Sequence, residues 1–313
     1  MAAFFRTSLL LAALTALFMA GGYMLAGQQG LIIALLLAGG MNLFAYWNSD
    51  RMVLMQYNAQ EVDERSAPNL YSIVRELAQR AGMPMPRVYI MQSAQPNAFA
   101  TGRNPQHAAV CASTGLLSLL DHDEVAGVMA HELSHILHRD TLIMTVSATL
   151  AGALGNLAQM AMWFGLSRSH SSDERRPNPL AALAIMILGP LAATLIQFAI
   201  SRTREYEADR RGAMLCGNPL ALARALAKIS NRAAVTDMPA ADANPASAHI
   251  FICNPLHGGG LQALFSTHPP MDSRIARLQA MAGQAQPTQG LPRTRSILPD
   301  SARSTGRARG PWG

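Results

Sequence analysis

From Thr7 to Ser49 the chain carries no charged residue, and this stretch restricts its folds more than any other feature. It is too long for one bilayer crossing, which takes about 17–25 apolar residues. The Gly27-Gln28-Gln29-Gly30 segment divides it into two runs, about Leu9–Ala26 and Leu31–Trp47. Tyr46 and Trp47 close the second run, where interfacial aromatics sit. Arg6 before an apolar run also suits a signal peptide. However, the second run follows within a few residues, and no convincing cleavage site separates them. A tight hairpin of two membrane helices is expected.

Composition points the same way. Half the 313 residues are hydrophobic, 14% are charged and the mean hydropathy is +0.14. Soluble domains carry about 25% charged residues. The formal net charge is +6, but the basic residues form no stripe with interleaved aromatics. They flank apolar runs (Arg6, Arg51, Arg139, Arg168, Arg202, Arg204) or fill the tail from Arg293 to Arg309. That is the pattern of positively charged membrane flanks, and nucleic acid is not an expected partner. Cys111, Cys216 and Cys253 lie far apart with no CxxC pair, so they read as small buried hydrophobes in a reducing compartment.

The sequence divides into five parts: an N-terminal transmembrane hairpin (1–49), the first part of a catalytic domain (50–140), a hydrophobic hairpin (141–201), its second part (202–282) and a disordered Arg-rich tail (283–313). In the first catalytic part, Leu70, Ile73, Val74, Leu77, Ala78 and Ala81 recur at helical spacing, which predicts a helix over Pro68–Ala81 ended by Gly82 and Pro84. Strands are expected at Arg87–Met91 and His107–Ala112, with a strand end and turn over Gln95–Gly102 between them. Asp121 with Glu124 three residues on predicts a capping box and a helix start. The uncharged runs Leu142–Leu166 and Pro177–Ser201 read as a second pair of spans or as a helical hairpin buried in the globular part. A short helix is expected from about Met271 to Met281. The fold class is therefore mainly α with a small β-sheet and transmembrane helical hairpins.

Within the helix that begins at Asp121 lies His131-Glu132-Leu133-Ser134-His135. Residues at i and i+4 share one helical face, so both imidazoles can reach one ion about 2 Å away. Glu132 is turned roughly 100° from His131; it can flank the metal and act as general base without binding it. A catalytic zinc takes a third protein ligand and keeps one position open. Glu205, in Ser201-Arg202-Thr203-Arg204-Glu205-Tyr206-Glu207-Ala208-Asp209, is the candidate, and Asp209, four residues on, is placed to hydrogen-bond a ligand histidine. The same segment also reads as a charged helix exit at a membrane surface. His138 is a competing ligand, two turns from His131 and poorly placed for it.

HELSHILHRD, SRTREYEADRRGA and FSTHPPMDSRIARL, in that order, resemble the HtpX-type membrane zinc metalloproteases. These belong to a gluzincin group that includes the CAAX prenyl proteases. The resemblance covers roughly residues 1–282. It implies a zinc metalloendopeptidase with one Zn2+ per chain bound by His131, His135 and Glu205, and Glu132 as base. It further implies that Asn97, Ala98, Phe99 and Ala100 form the edge strand that pairs with extended substrate, and that His268 lines the site and can stabilise the oxyanion. The expected partners are the lipid bilayer and protein substrates in or near it. The implied role is quality control of misfolded or damaged membrane proteins under stress, with self-cleavage also open. Both metal motifs must face one side of the membrane, and Arg6, Arg51, Arg139, Arg202 and Arg204 favour the cytoplasm. That gives a multi-pass protein of the bacterial inner membrane. A CAAX-type processing protease, or a membrane chaperone with structural zinc, are the alternative readings.

Overall fold

The computed structural model describes residues 2–147, 202–242, 249–254 and 269–283. The N-terminal apolar stretch forms α1 (Ala2–Gln56), two helical limbs joined by a break at Ala26 and Gly27. Gly27 adopts φ 60°, ψ −141°, a conformation that side chains with a Cβ avoid. The limbs meet at Gly22 and Gly30, where a Cβ on either residue would collide with the carbonyl oxygen of the other. Asn42 Nδ2 donates to Thr15 Oγ1 across the hairpin at 2.8 Å. The expected hairpin is present, with its turn at the start of the Gly27–Gly30 segment. Ala26–Asn48 is long and apolar enough to cross a membrane; Ser8–Met24 is a shorter apolar helix.

The second limb runs past Asp50 to Gln56, and Val53, Leu54 and Tyr57 are buried. Tyr57 packs at a tilt against Phe99 (5.8 Å between ring centroids) and edge-to-face against Phe251 (4.9 Å), which fastens the hairpin to the sheet. That sheet comprises β1 (Gln60–Val62), β2 (Arg87–Met91), β3 (Ala98–Gly102) and β4 (Ala108–Ser113), in the order β1-β2-β4-β3. The β2–β4 pair is parallel; β1–β2 and β3–β4 are antiparallel. Strand β4 starts one residue later than expected, because Asn104 Oδ1 accepts from His107 N–H at 2.9 Å and holds Pro105–His107 in a 3-10 turn.

Strand alternation assigns the two faces of the sheet. Ala98, Ala100, Ala108, Val110 and Ala112 point to one apolar cluster; Phe99, Ala109 and Cys111 point to another. The first cluster holds the helices of the site. They include α2 (Pro68–Arg80), which buries Leu70, Ile73, Val74, Leu77 and Ala78 as its spacing predicts. After the short α3 (Thr114–Leu119) comes α4 (His122–Leu137), whose N-terminus has the predicted capping box: Glu124 N–H donates to Asp121 Oδ1 at 2.9 Å, and Asp121 N–H to Glu124 Oε2 at 3.0 Å. Then follow α5 (Arg202–Cys216), α6 (Pro219–Ala233), the short α7 (Pro239–Asp242) and α8 (Met271–Ala282). The second cluster joins the hairpin, through Leu10, Leu14 and Tyr57, to Ile143 and Val146 of a helical stretch at 140–147.

Close backbone approach sets the position of α4. A Cβ on Gly212 would lie 2.8 Å from His131 N, and one on Gly127 would lie 3.0 Å from Leu222 Cα. Glycine at these two positions lets α5 and α6 seat against α4, which brings Glu205 over the histidines. The architecture is the one expected, mainly helical with one small sheet. Most of both apolar runs between 142 and 201, most of 254–270 including His268, and the tail beyond 283 lie outside the described residues.

Candidate metal centre

His131 and His135 sit one turn apart on α4, both buried, and their Nε2 atoms approach to 3.2 Å. Glu205, in the first turn of α5, aims its carboxylate at both: Oε2 lies 3.7 Å from His131 Nε2, and Oε1 lies 3.5 Å from His135 Nε2. The three donor groups, all buried, fall within 4.8 Å of one another. Two ligand atoms each 2.0–2.1 Å from a tetrahedral ion stand about 3.3 Å apart. The spacing and the nitrogen–nitrogen–oxygen donor set therefore fit a zinc-like ion. Among the described residues this is the one cluster of its kind, and it contains no fourth protein ligand. His138 stands apart from it, with Nδ1 2.7 Å from the Ser134 carbonyl oxygen.

Each histidine has a carboxylate behind its other ring nitrogen. Asp209 Oδ1 lies 3.0 Å from His131 Nδ1, the contact expected from the spacing of Glu205 and Asp209. Behind His135 the carboxylate is Asp140, with Oδ2 3.7 Å from Nδ1, and Arg204 Nη1 donates to Asp140 Oδ1 at 3.1 Å. Sequence reasoning missed Asp140 and Arg204, although an acid at the mouth of an uncharged run is an available signal. It also missed Arg274, which binds Asp209 through two bonds of 2.8 and 2.7 Å. Its signal was an arginine on the apolar face of α8, one turn from Met271 and one turn from Leu278.

Burial and charge set the protonation of the metal-free site. Burial lifts the Glu132 carboxyl to about 8; His135 pulls it down and Glu205 pushes it up. Burial also works against the charge of His135, but Glu205, then Asp140 and Glu132, push it up to about 9. Desolvation lowers His131. For Asp209, burial opposes ionisation, yet the Arg274 guanidinium holds it down at about 2. On this ligand set a bound cation would take the place of the proton and would favour ionised Glu132.

Strand β3, which holds Ala98, Phe99 and Ala100 of the expected substrate strand, lies at one edge of the sheet and borders the site, with the Ala100 N–H toward the Glu132 carboxylate. Its outer side is partly paired with the chain itself. Phe99 bridges Phe251, and Ile252 N–H donates to the Ala98 carbonyl at 3.0 Å. Asn97 Nδ2 donates to the Cys253 carbonyl at 2.9 Å. Every residue of β3 is buried.

A helix-borne His-Glu-x-x-His pair closed by a glutamate from a second helix, on a mainly helical fold with one small sheet, defines a metallopeptidase. The family model of peptidase family M48 matches residues 64–282, and the chain belongs to that family. A protein from Ralstonia pickettii named "Protease HtpX homolog" is 58% identical over 281 residues, covering 90% of this chain and 97% of that one. A crystal structure of S. mikatae Ste24p is similar at a TM-score of 0.47 with 16% identity, over 87% of this chain and 62% of that chain.

Proposed function

We propose that this protein is a multi-pass zinc endopeptidase of the bacterial inner membrane. Its site faces the cytoplasm and cleaves misfolded or damaged membrane proteins. The observation that carries the reading is the convergence of two imidazole nitrogens and one carboxylate, with a buried fourth group, Glu132, beside them. His131, His135 and Glu205 would hold one zinc per chain. When bound, that ion supplies Lewis-acid activation of water and of the scissile carbonyl.

The remaining work falls to the protein. Glu132 accepts the proton of the attacking water and returns it to the leaving amine nitrogen. Asp209 and Asp140 hold the imidazoles in orientation through their Nδ1 atoms. The surrounding apolar helices exclude bulk water, so each of these charges acts strongly. The exposed apolar surface of α1 supports a membrane location, and the arginines flanking the apolar runs support a cytoplasmic site. Extended substrate would reach β3 from Ala100 onward, since the 251–253 segment takes the edge at Ala98 and Phe99, with His268 as the residue to test for an oxyanion role.

Structural zinc in a membrane chaperone would need a fourth protein ligand, and His138, the described candidate, has its Nδ1 2.7 Å from the Ser134 carbonyl oxygen instead. The direct test is Glu132→Gln in the full-length chain, purified with chelator and reloaded with zinc. The variant should keep its zinc and lose casein cleavage by at least about 100-fold, the scale of general-base catalysis. Undiminished cleavage by the zinc-loaded variant would remove Glu132 from the mechanism.

A further inference from the structure

Arg274 is the largest fully buried side chain among the described residues, and a buried guanidinium survives only when its donors are met. Nε and Nη2 bind the two oxygens of Asp209. Nη1 donates to the Ile252 carbonyl at 2.9 Å and lies 3.8 Å from Glu205 Oε2. Asp209 in turn stands 3.0 Å from His131 Nδ1. One side chain from α8 therefore touches the support of a metal-site histidine, the carboxylate of the third candidate ligand and the backbone of the 249–254 segment.

That segment is the one that lies on β3. Ile252 offers its N–H to Ala98 and its carbonyl to Arg274, so strand edge and guanidinium grip the same residue from two sides. Asn97 closes the next position, with Nδ2 donating to the Cys253 carbonyl and Oδ1 accepting from Cys253 N–H at 3.3 Å. Ile250, Phe251 and Ile252 are buried, so the segment is seated firmly. Strand β3 then borders the centre at Ala100, whose N–H lies toward Glu132.

We propose that Arg274 is a positioning residue that couples the metal triad to the 250–253 segment, so that ion binding and the seating of this segment on the edge strand reinforce each other. The proposal rests on the metal reading above. When an ion takes up the charge of Glu205, the guanidinium is left to Asp209 and the Ile252 carbonyl, and both contacts gain. Coupling of this kind is reciprocal: whatever loosens the segment weakens the ion, and the reverse. Lysine cannot reproduce it, because one ammonium cannot make the paired contact to Asp209 and also reach the carbonyl.

The test uses the full-length chain in detergent, made metal-free and titrated with zinc against a competing chelator. Zinc binding by the wild type checks the metal reading on its own; no binding would remove both that reading and the coupling. With binding established, Arg274→Lys should weaken zinc by about 10–100-fold, the usual effect of losing a partner behind a ligand. Adding Arg274→Lys to Asp209→Asn should change little further, because the arginine acts through Asp209. Amide exchange of the wild type supplies a second readout that needs no variant: zinc should increase protection of 250–253, while α2 stays unchanged. Unaltered zinc affinity in Arg274→Lys, additive losses in the double variant, or zinc protection confined to α4 and α5 would each overturn the proposal.

Discussion

The second limb of α1 and the helix α4 are both rich in apolar residues, yet they use that property in opposite ways. In α4, every residue from Glu124 to Ile136 is buried, polar side chains included. In the limb, Ile32, Ile33, Leu36, Leu37, Leu43 and Phe44 stand exposed. The first helix is enclosed by protein and can hold ionisable groups far from their ordinary behaviour. The second presents a surface that water would not tolerate but a bilayer would. Apolar sequence thus means a core in one place and an exposed apolar surface in the other, and the position of charged partners distinguishes them. Helix α4 has Glu124 tied to Lys228 at 2.7 Å, and Asp140 just beyond its end is tied to Arg204, whereas the 7–49 stretch has no charge at all.

A carboxylate placed in each helix should separate the two environments. Met129→Asp buries an unpaired charge at a position with 0% exposure, and should cost more than about 4 kcal/mol, leaving no folded catalytic part. Limited proteolysis of the detergent-solubilised variant checks this; a resistant, native-like pattern would break the contrast. Ile33→Asp, which is exposed, should leave the catalytic part folded but cost about 2.5–3.5 kcal/mol in membrane insertion. Membrane fractionation measures it, and normal insertion would mean that the limb does not face lipid.

The burial of α4 also has a pH signature. In the metal-free protein the Glu132 carboxyl is raised to about 8 from an ordinary 4.5. Between those values the folded chain keeps a proton that the unfolded chain has released, so metal-free stability falls as pH rises through that window. Glu132→Gln removes the effect. Metal-free variant and wild type should be nearly equally stable near pH 4.5, and the variant more stable by about 4 kcal/mol near pH 8. Thermal or denaturant melts at the two pH values decide it; a gap independent of pH would exclude the burial effect.

A smaller effect is expected at the helix crossing. Gly212→Ala pushes a Cβ against the His131 backbone, and should cost about 1–3 kcal/mol while loosening the approach of Glu205 to the histidines. Denaturant melts report the first and zinc competition the second. A fully tolerated alanine would show that α5 can shift without disturbing the centre.

Much of this was legible in the sequence because it is local. The capping box at Asp121 and Glu124, the apolar face of α2 and the hairpin break at Gly27 all appear where spacing and residue type put them. The candidate metal cluster was legible for the same reason, since His131 and His135 are one turn apart and Glu205 with Asp209 repeats that spacing. What sequence reasoning missed depends on contacts between distant parts of the chain. Strand β1 is three residues long and gains its pairing only from β2. Asp140 matters because Arg204, far along the chain, comes back to it. Arg274 looks like one more surface charge until α8 is folded onto Asp209.

X-ray absorption at the zinc edge of the reloaded wild-type protein, with Glu205→Ala as its control, tests the centre most directly. The account predicts one zinc per chain with two imidazole nitrogens and light oxygen ligands at about 2.0–2.2 Å, and a loss of zinc occupancy in the control. A sulfur shell at about 2.3 Å, a third imidazole, or full occupancy without Glu205 would contradict it.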